Sequence, residues 1–167
     1  MSIEIVTASL NDVDRLRALR LAALKDTPDA FGAKYDDEVN KPISEWSDRL
    51  KNTTWCFVVA DGVDIGLLAV DRAEKDRNSD CWLSSWWIRD ESRASGIPKL
   101  MLNWVEALCL ENNWEKIGLG VWPENLRAIA AYKKLGFTQA DKPLPSRSIP
   151  GLMYLAMYYE ITKNNFH

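Results

Sequence analysis

The stretch Trp82–Leu102 (WLSSWWIRDESRASGIPKLML) constrains the chain more than any other. Trp82 to Ile88 is rich in aromatic residues, as a buried strand is. A polar turn follows, Arg89 to Ser95, and then a Gly-Ile-Pro step. Beyond it, apolar residues recur at Ile97, Leu100, Met101, Trp104, Val105 and Leu108, the spacing of an amphipathic helix. Pro98 suits the first turn of that helix, where an N–H has no intrahelical partner. Strand, turn and helix in this order aim free backbone N–H groups and the positive end of a helix dipole at one spot, which suits a phosphate. A strand-to-helix turn that needs glycine for steric reasons alone would read the same way.

The chain has 167 residues, a length that predicts one domain with a sizeable core. Its 21 basic and 24 acidic residues give a net charge of -3, so no broad basic surface is implied and nucleic acid is not an expected partner. No run approaches the roughly 18 apolar residues of a membrane span, and the first residues lack the pattern of a signal peptide. Cys56, Cys81 and Cys109 each lie in an apolar segment, without the spacing of metal ligands. That usage predicts a reducing, cytoplasmic setting and no metal. The single histidine, His167, ends the chain, which argues against a catalytic histidine. The eight tryptophans read as core filling, and a homodimer is compatible with the composition.

In chain order, Ile3–Val6 reads as a short strand. Asn11 or Asp12 caps a helix with Leu16, Leu19 and Ala23 on one face, ending near Asp26. The polar loop Thr27–Asn40 carries Phe31 and Tyr35, which either line a cleft or pack on the body. Ile43–Leu50 reads as a second helix, with Trp46 and Leu50 inward. Trp55–Ala60 and Ile65–Asp71 form a hairpin about Asp61-Gly62-Val63-Asp64. Arg72–Asp80 is an exposed connection. Lys116–Val121 completes a strand–helix–strand unit, so its two strands run parallel with a right-handed crossover. Ligands of such sheets sit beyond the carboxyl ends of the strands, the edge that carries the Arg93–Lys99 and Trp122–Asn125 turns. Glu124–Leu135 is a helix with Ala128, Ala131, Tyr132 and Leu135 on one face; Gly136 stops it and Phe137 begins a strand. Pro143–Pro150 is a loop, and Leu152–Ile161 is a strand buried on both faces.

The run Asn125-Leu126-Arg127-Ala128-Ile129-Ala130-Ala131-Tyr132-Lys133-Lys134-Leu135-Gly136-Phe137 resembles the N-x-x-A-x-x-x-Y-x-K-x-G-F signature of the GNAT acetyltransferase superfamily. The central turn, Arg93-Ala94-Ser95-Gly96-Ile97-Pro98, is similar to the Arg/Gln-x-x-Gly-x-Gly/Ala turn of that family. The order of elements also matches over nearly the whole chain. The resemblance implies an α/β fold of the α+β kind: a mixed, mostly antiparallel sheet splayed between two parallel strands and flanked by helices. Residues 1–162 would form this single N-acetyltransferase domain, and 163–167 a loose tail.

For function, the resemblance implies acetyl-CoA as cosubstrate and a primary amine of a small molecule or peptide as acceptor. Main-chain groups of Trp86, Trp87 and Ile88 would pair with the pantetheine arm. Ala94, Ser95, Gly96, Ile97, Pro98 and Lys99 would face the pyrophosphate, with Arg93 nearby and Asn125 on the same cofactor. Pro98 departs from the pattern, because it offers no N–H; one hydrogen bond to a charged acceptor is worth roughly 1.5–3 kcal/mol. Tyr132 stands where the family has its general acid. Some members of the family carry a basic glutamate at the position matching Gly120 and others one near Trp82, and neither position holds a carboxylate here. Asp71, Glu74 and Asp80 lie around the right loops but read equally well as surface charges. The acceptor wall falls in the Thr27–Asn40 and Pro143–Pro150 loops. The missing carboxylates and Pro98 also fit a second reading, a CoA-binding sensor or interaction module without turnover.

Overall fold

The computed structural model describes residues 2–93 and 96–161. Its elements are β1 (Ile3–Thr7), α1 (Val13–Asp26), α2 (Tyr35–Glu38), α3 (Ile43–Asn52), β2 (Thr54–Ala60), β3 (Val63–Arg72), β4 (Cys81–Ile88), α4 (Ile97–Asn112), β5 (Lys116–Val121), α5 (Leu126–Leu135), β6 (Thr138–Gln139), β7 (Leu144–Pro145) and β8 (Met153–Glu160). Strands follow the order β1-β2-β3-β4-β5-β8-β6, with β7 on β8. β4 and β5 are the parallel pair in a mostly antiparallel sheet, as expected. The chain divides into two compact units, residues 1–71 with 85–101, and residues 72–84 with 102–167. Among the described residues no helix is long and apolar enough to cross a membrane. Residues 163–167, read as a tail with His167, lie outside the described residues.

The first unit is built on α1, α3 and the hairpin of β2 and β3. The apolar stripe of α1 delivers Leu16, Leu19 and Ala23 to a core shared with Trp46, Trp55, Phe57, Leu67, Ala69 and Trp87. Burying side chains of this size supplies about 1.5–3 kcal/mol each before entropy is counted. The hairpin turn is tighter than the four-residue span predicted. Ala60 pairs with Val63, which leaves Asp61 and Gly62 alone in the turn, at φ +48° and +82°. Val63 and Asp64 belong to the ladder because a bulge at Val58/Val59 restores their register.

Asp12 precedes α1 but does not cap it through its side chain. Its carboxylate turns back to the Ser9 N–H at 2.7 Å and to Arg15 at 3.3 Å. The Thr27–Asn40 loop is not wholly irregular, since α2 lies within it. Phe31 and Tyr35 pack against the core, with Arg20 over the Phe31 ring and Lys25 over that of Tyr35. Packing therefore accounts for both aromatics. Glu38 is buried, and Arg49 grips it with both terminal nitrogens, at 2.8 and 3.2 Å. Burial works to raise the Glu38 carboxyl, but Arg49 and Lys41 outweigh it and hold the group below its ordinary range.

In the second unit, β5 and β8 pair from Lys116↔Glu160 to Val121↔Leu155. On one face Phe137 packs against Tyr132 and Tyr159, at ring separations of 5.9 and 5.3 Å, and the Tyr159 hydroxyl donates to buried Glu106 at 2.7 Å. The buried apolar positions of α4, whose residues up to Met101 belong to the first unit, are Ile97, Met101, Leu102, Val105 and Cys109, while Leu100, placed on that stripe from its spacing, is exposed. On α5 the buried position is Ile129, Ala128, Tyr132 and Leu135 are half-buried, and Ala131 faces solvent. β8 is less enclosed than its apolar run suggested: Tyr154, Ala156 and Met157 are buried, but Met153 is exposed. The Pro143–Pro150 loop contains the short β7, paired through Leu144↔Tyr154 and Pro145↔Met153.

The other face of this unit depends on two glycines of β5. A Cβ on Gly118 would come within 2.8 Å of the Trp82 ring, and one on Gly120 within 2.8 Å of the Tyr154 ring. Gly118→Ala is therefore expected to lower stability by about 1–3 kcal/mol, because Trp82 must leave its position. Urea unfolding checks this, and an unchanged midpoint would show that the ring is not held against the strand.

Candidate functional site

The site residues named from the sequence fall into two groups, one in each unit. In the first unit, β4 is irregular at its middle: Ser85 has φ +55°, a left-handed conformation that is costly outside glycine. The parallel register with β5 covers Cys81, Trp82 and Leu83, paired with Ile117, Gly118 and Leu119. Past Ser85 the strand is held by its own side chains. Trp86 donates its indole N–H to the Met101 sulfur at 3.2 Å, and Trp87 donates its own to Asp26 Oδ2 at 2.9 Å. The Arg89 N–H bonds to the Ile65 carbonyl at 2.8 Å. The end of the strand is thereby fixed before any ligand arrives.

The turn after β4 is organised by Arg93. Its Nε donates to the Ile88 carbonyl at 2.8 Å, Nη1 to Asp90 at 2.9 Å and Nη2 to Asp26 Oδ2 at 2.6 Å. Arg93 thus commits its guanidinium to the protein itself, whereas the sequence placed it beside the pyrophosphate. Ala94 and Ser95, the next two candidates, lie outside the described residues. Gly96 is exposed, with φ +78° and open space where a Cβ would stand, so an incoming group can approach its backbone closely. Ile97 is buried, Pro98 is half-buried as the second residue of α4, and Lys99 is exposed. The N–H groups of Ile97 and Lys99 belong to the first helical turn, whose donors have no intrahelical acceptor. Pro98 between them contributes none.

In the second unit, Asn125 is the N-cap of α5, and its side-chain oxygen accepts from the Ala128 N–H at 3.2 Å. The turn Trp122–Asn125 closes with a bond from the Asn125 N–H to the Trp122 carbonyl, so the helix starts two residues later than its predicted beginning at Glu124. Two bonds, from Gly136 to the Lys133 carbonyl and from Phe137 to the Tyr132 carbonyl, end it at the expected glycine. Tyr132 is half-buried, and burial of its phenol pushes the pKa up to about 12. The hydroxyl therefore stays protonated throughout the neutral range.

The three carboxylates weighed as bases all have structural partners. Asp71 accepts from the Thr53 hydroxyl at 2.7 Å, Glu74 is bound by Arg147, and Asp80 accepts from the backbone N–H groups of Glu115 and Lys116. The space beside Gly120 is filled by the Tyr154 ring. Two residues with large roles escaped the sequence reading. Asp26 looks like a helix end and Arg77 like surface charge, and their partners lie far along the chain, at separations of 61, 67 and 77 residues.

The sequence profile of the Acetyltransferase (GNAT) family matches residues 16–137. Among solved structures, an acetyltransferase of the GNAT family from Streptococcus pneumoniae superposes with a TM-score of 0.74 at 17% identity, over 96% of this chain and 100% of that one. A ribosomal-protein-alanine N-acetyltransferase from Brucella melitensis gives 0.69 at 17% identity, over 95% and 99%. A spermidine N-acetyltransferase from Vibrio cholerae, in complex with CoA and spermine, gives 0.68 at 16% identity, over 95% of both chains. At such identities the likeness is one of fold.

Removing the Asp26 carboxylate leaves two donors without their acceptor, one of them charged. Asp26→Ala is expected to cost about 1–3 kcal/mol. Asp26→Asn keeps an acceptor for Trp87 and should cost less. Denaturant unfolding of the two variants checks this, and equal, negligible losses would contradict the anchoring role of Asp26.

Proposed function

Because the chain belongs to the GNAT family of acetyltransferases, we propose that it transfers an acetyl group from acetyl-CoA to a primary amine of a small molecule or peptide, by direct attack on the thioester. Residues 1–162 serve as one N-acetyltransferase domain in this reading. The observation that carries it is the strand–turn–helix from Cys81 to Asn112. Its strand is anchored by side chains, its turn has an open glycine, and its helix begins with the donors an anion needs. Family neighbours determined with CoA support the choice of cosubstrate.

The main chain of Trp86, Trp87 and Ile88 takes the pantetheine arm, in the manner of an added strand. Gly96, Ile97 and Lys99 receive the pyrophosphate, together with Ala94 and Ser95. Asn125, whose oxygen is used as a cap, has its amide N–H groups to offer the cosubstrate. Arg93 acts indirectly, by fixing the turn through Ile88, Asp90 and Asp26. Pro98 removes one donor, and at roughly 1.5–3 kcal/mol this weakens binding without abolishing it.

In the transfer, the neutral amine forms a C–N bond with the acetyl carbon, the C–S bond breaks, and the departing thiolate takes a proton. Tyr132 supplies that proton. With its pKa near 12 the phenol is always charged with one, but giving it to an ordinary thiolate would be uphill by about 5 kcal/mol. The step becomes easier when the thiolate leaves within the same dry surroundings that raise the phenol. The amine loses its extra proton to water, and water returns one to the Tyr132 phenolate; no carboxylate occupies position 120 or 82, and the nearby acids hold structural partners. Those same absences support the second reading, a domain that binds CoA without turnover.

Tyr132→Phe separates the two. Turnover of any accepted amine is expected to fall by roughly 10²–10⁴, while acetyl-CoA affinity holds within a few-fold and stability changes by about 1 kcal/mol at most. Initial rates, equilibrium binding and melting temperatures provide the check. Unchanged turnover would remove Tyr132 from the chemistry, and equal inertness of both proteins with intact CoA binding would favour the domain without turnover.

A further inference from the structure

Two carboxylates are buried among the described residues, and only one of them has cations beside it. Glu38 is held by Arg49 and Lys41. Glu106, on α4, is 7% exposed and forms no ion pair among the described residues. The one donor it has there is the Tyr159 hydroxyl, at 2.7 Å. A buried charge without a counter-charge is costly, and a single phenol offsets only part of that. Leucine facing phenylalanine would fill similar space with no such cost. Stability alone therefore does not account for the pair.

The hydrogen bond fixes a ring. β8 brings Tyr159 alongside Ile117 of β5, and the Tyr159 side chain reaches the corner where α5 stops. A Cβ on Gly136 would stand 3.1 Å from Tyr159 Cε2, so the glycine that ends the helix also admits the ring. Phe137 is buried and packs on Tyr159 with planes at 42°, and the Tyr132 ring tilts on Phe137 at 57°. Three rings thus run from Glu106 to Tyr132, all within residues 102–167 and so within one compact unit. Ring contacts hold over centroid separations of about 4.5–7 Å, whereas an O–H···O bond is confined to about 2.5–3.0 Å. Glu106 supplies the confining contact at the far end of the row.

We propose that Glu106 is a positioning residue: through its hydrogen bond to Tyr159 it sets where the Tyr132 phenol stands, at a cost in stability. This rests on the reading above in which Tyr132 gives the departing thiolate its proton. A phenol displaced by a fraction of an ångström still binds nothing less and packs nearly as well, but it delivers its proton more slowly.

The decisive variant replaces both partners, Glu106→Leu with Tyr159→Phe, so that neither is left unpaired. It is compared with the wild type in urea unfolding, in initial rates with acetyl-CoA and glycinamide, spermidine or a short alanine-ended peptide, and in NMR of protein carrying ¹³Cζ-tyrosine. Tyr132→Phe assigns the Tyr132 signal. The double variant is expected to keep or raise the urea midpoint, while kcat falls about tenfold to a hundredfold and the acetyl-CoA KM holds within a few-fold. Its Tyr132 signal should shift or broaden. Glu106→Gln, which keeps an acceptor for Tyr159, should hold kcat within a few-fold. Added to Tyr132→Phe, the double replacement should lower kcat no further, because its effect passes through that phenol. A lowered midpoint or a failure to fold, with kcat unchanged in any folded protein, would show a merely structural pair and overturn the proposal. So would a further loss of kcat in the Tyr132→Phe background. If Tyr132→Phe leaves turnover intact, or no amine is acetylated by the wild type, the fault lies in the reading above. The NMR signal then decides on Glu106 by itself: displacement of the Tyr132 resonance supports positioning, and an unmoved resonance overturns it.

Discussion

One carboxylate ties together the end of α1, the end of β4 and the turn that precedes α4. Asp26 ends α1, and a single oxygen of its side chain accepts from the Trp87 indole and from the Arg93 guanidinium. Trp87 belongs to the core cluster, so the same contact links the packed interior to the end of β4. Arg93 carries the link onward, through the Ile88 carbonyl and Asp90, into the turn that precedes α4. An ion pair as exposed as Arg93–Asp26 is worth little by charge alone. Its value lies in fixing where a strand stops and where a helix begins. A loop that offers backbone donors to an anion must be rigid before binding, or its ordering entropy is subtracted from affinity.

The second unit solves a different problem. A tryptophan and a tyrosine lie over β5, and only glycine at positions 118 and 120 leaves them space. Glycine at position 120 admits the ring and leaves no side chain there to act as a base. What the face gains is Arg77, clamped between Trp82 and Tyr154. Arg147 gives one terminal nitrogen to Glu74 and the other to Asp76, on the loop that carries Arg77.

Much of this was legible in the sequence because the signals are local. The strand–turn–helix about Gly96, the helix from the Asn125 cap to Gly136 and the hairpin through Asp61-Gly62 each depend on residues within a few positions of one another. The misplacements have equally local causes. Leu100 fits a helical stripe as well as Leu102 does, and only packing shows that Leu102 is the buried one. Val63 and Asp64 read as turn from their spacing because a bulge in the hairpin, where Val59 pairs with Asp64, cannot be read from spacing. The roles of Asp26, Arg77 and Arg147 were hidden because each depends on a partner brought close by the fold. Ionic side chains look alike in sequence whether they end in solvent or in a clamp.

If the end of β4 and the first turn of α4 hold acetyl-CoA, binding must change the exchange of their amides. Amide hydrogen exchange, residue by residue, with and without saturating CoA, addresses this most directly. The expected result is slowed exchange at Trp86–Ile88 and at Gly96, Ile97 and Lys99, with little change in β1 and β2. Saturable binding that leaves those amides exchanging at their free rates, and protects others instead, would contradict it.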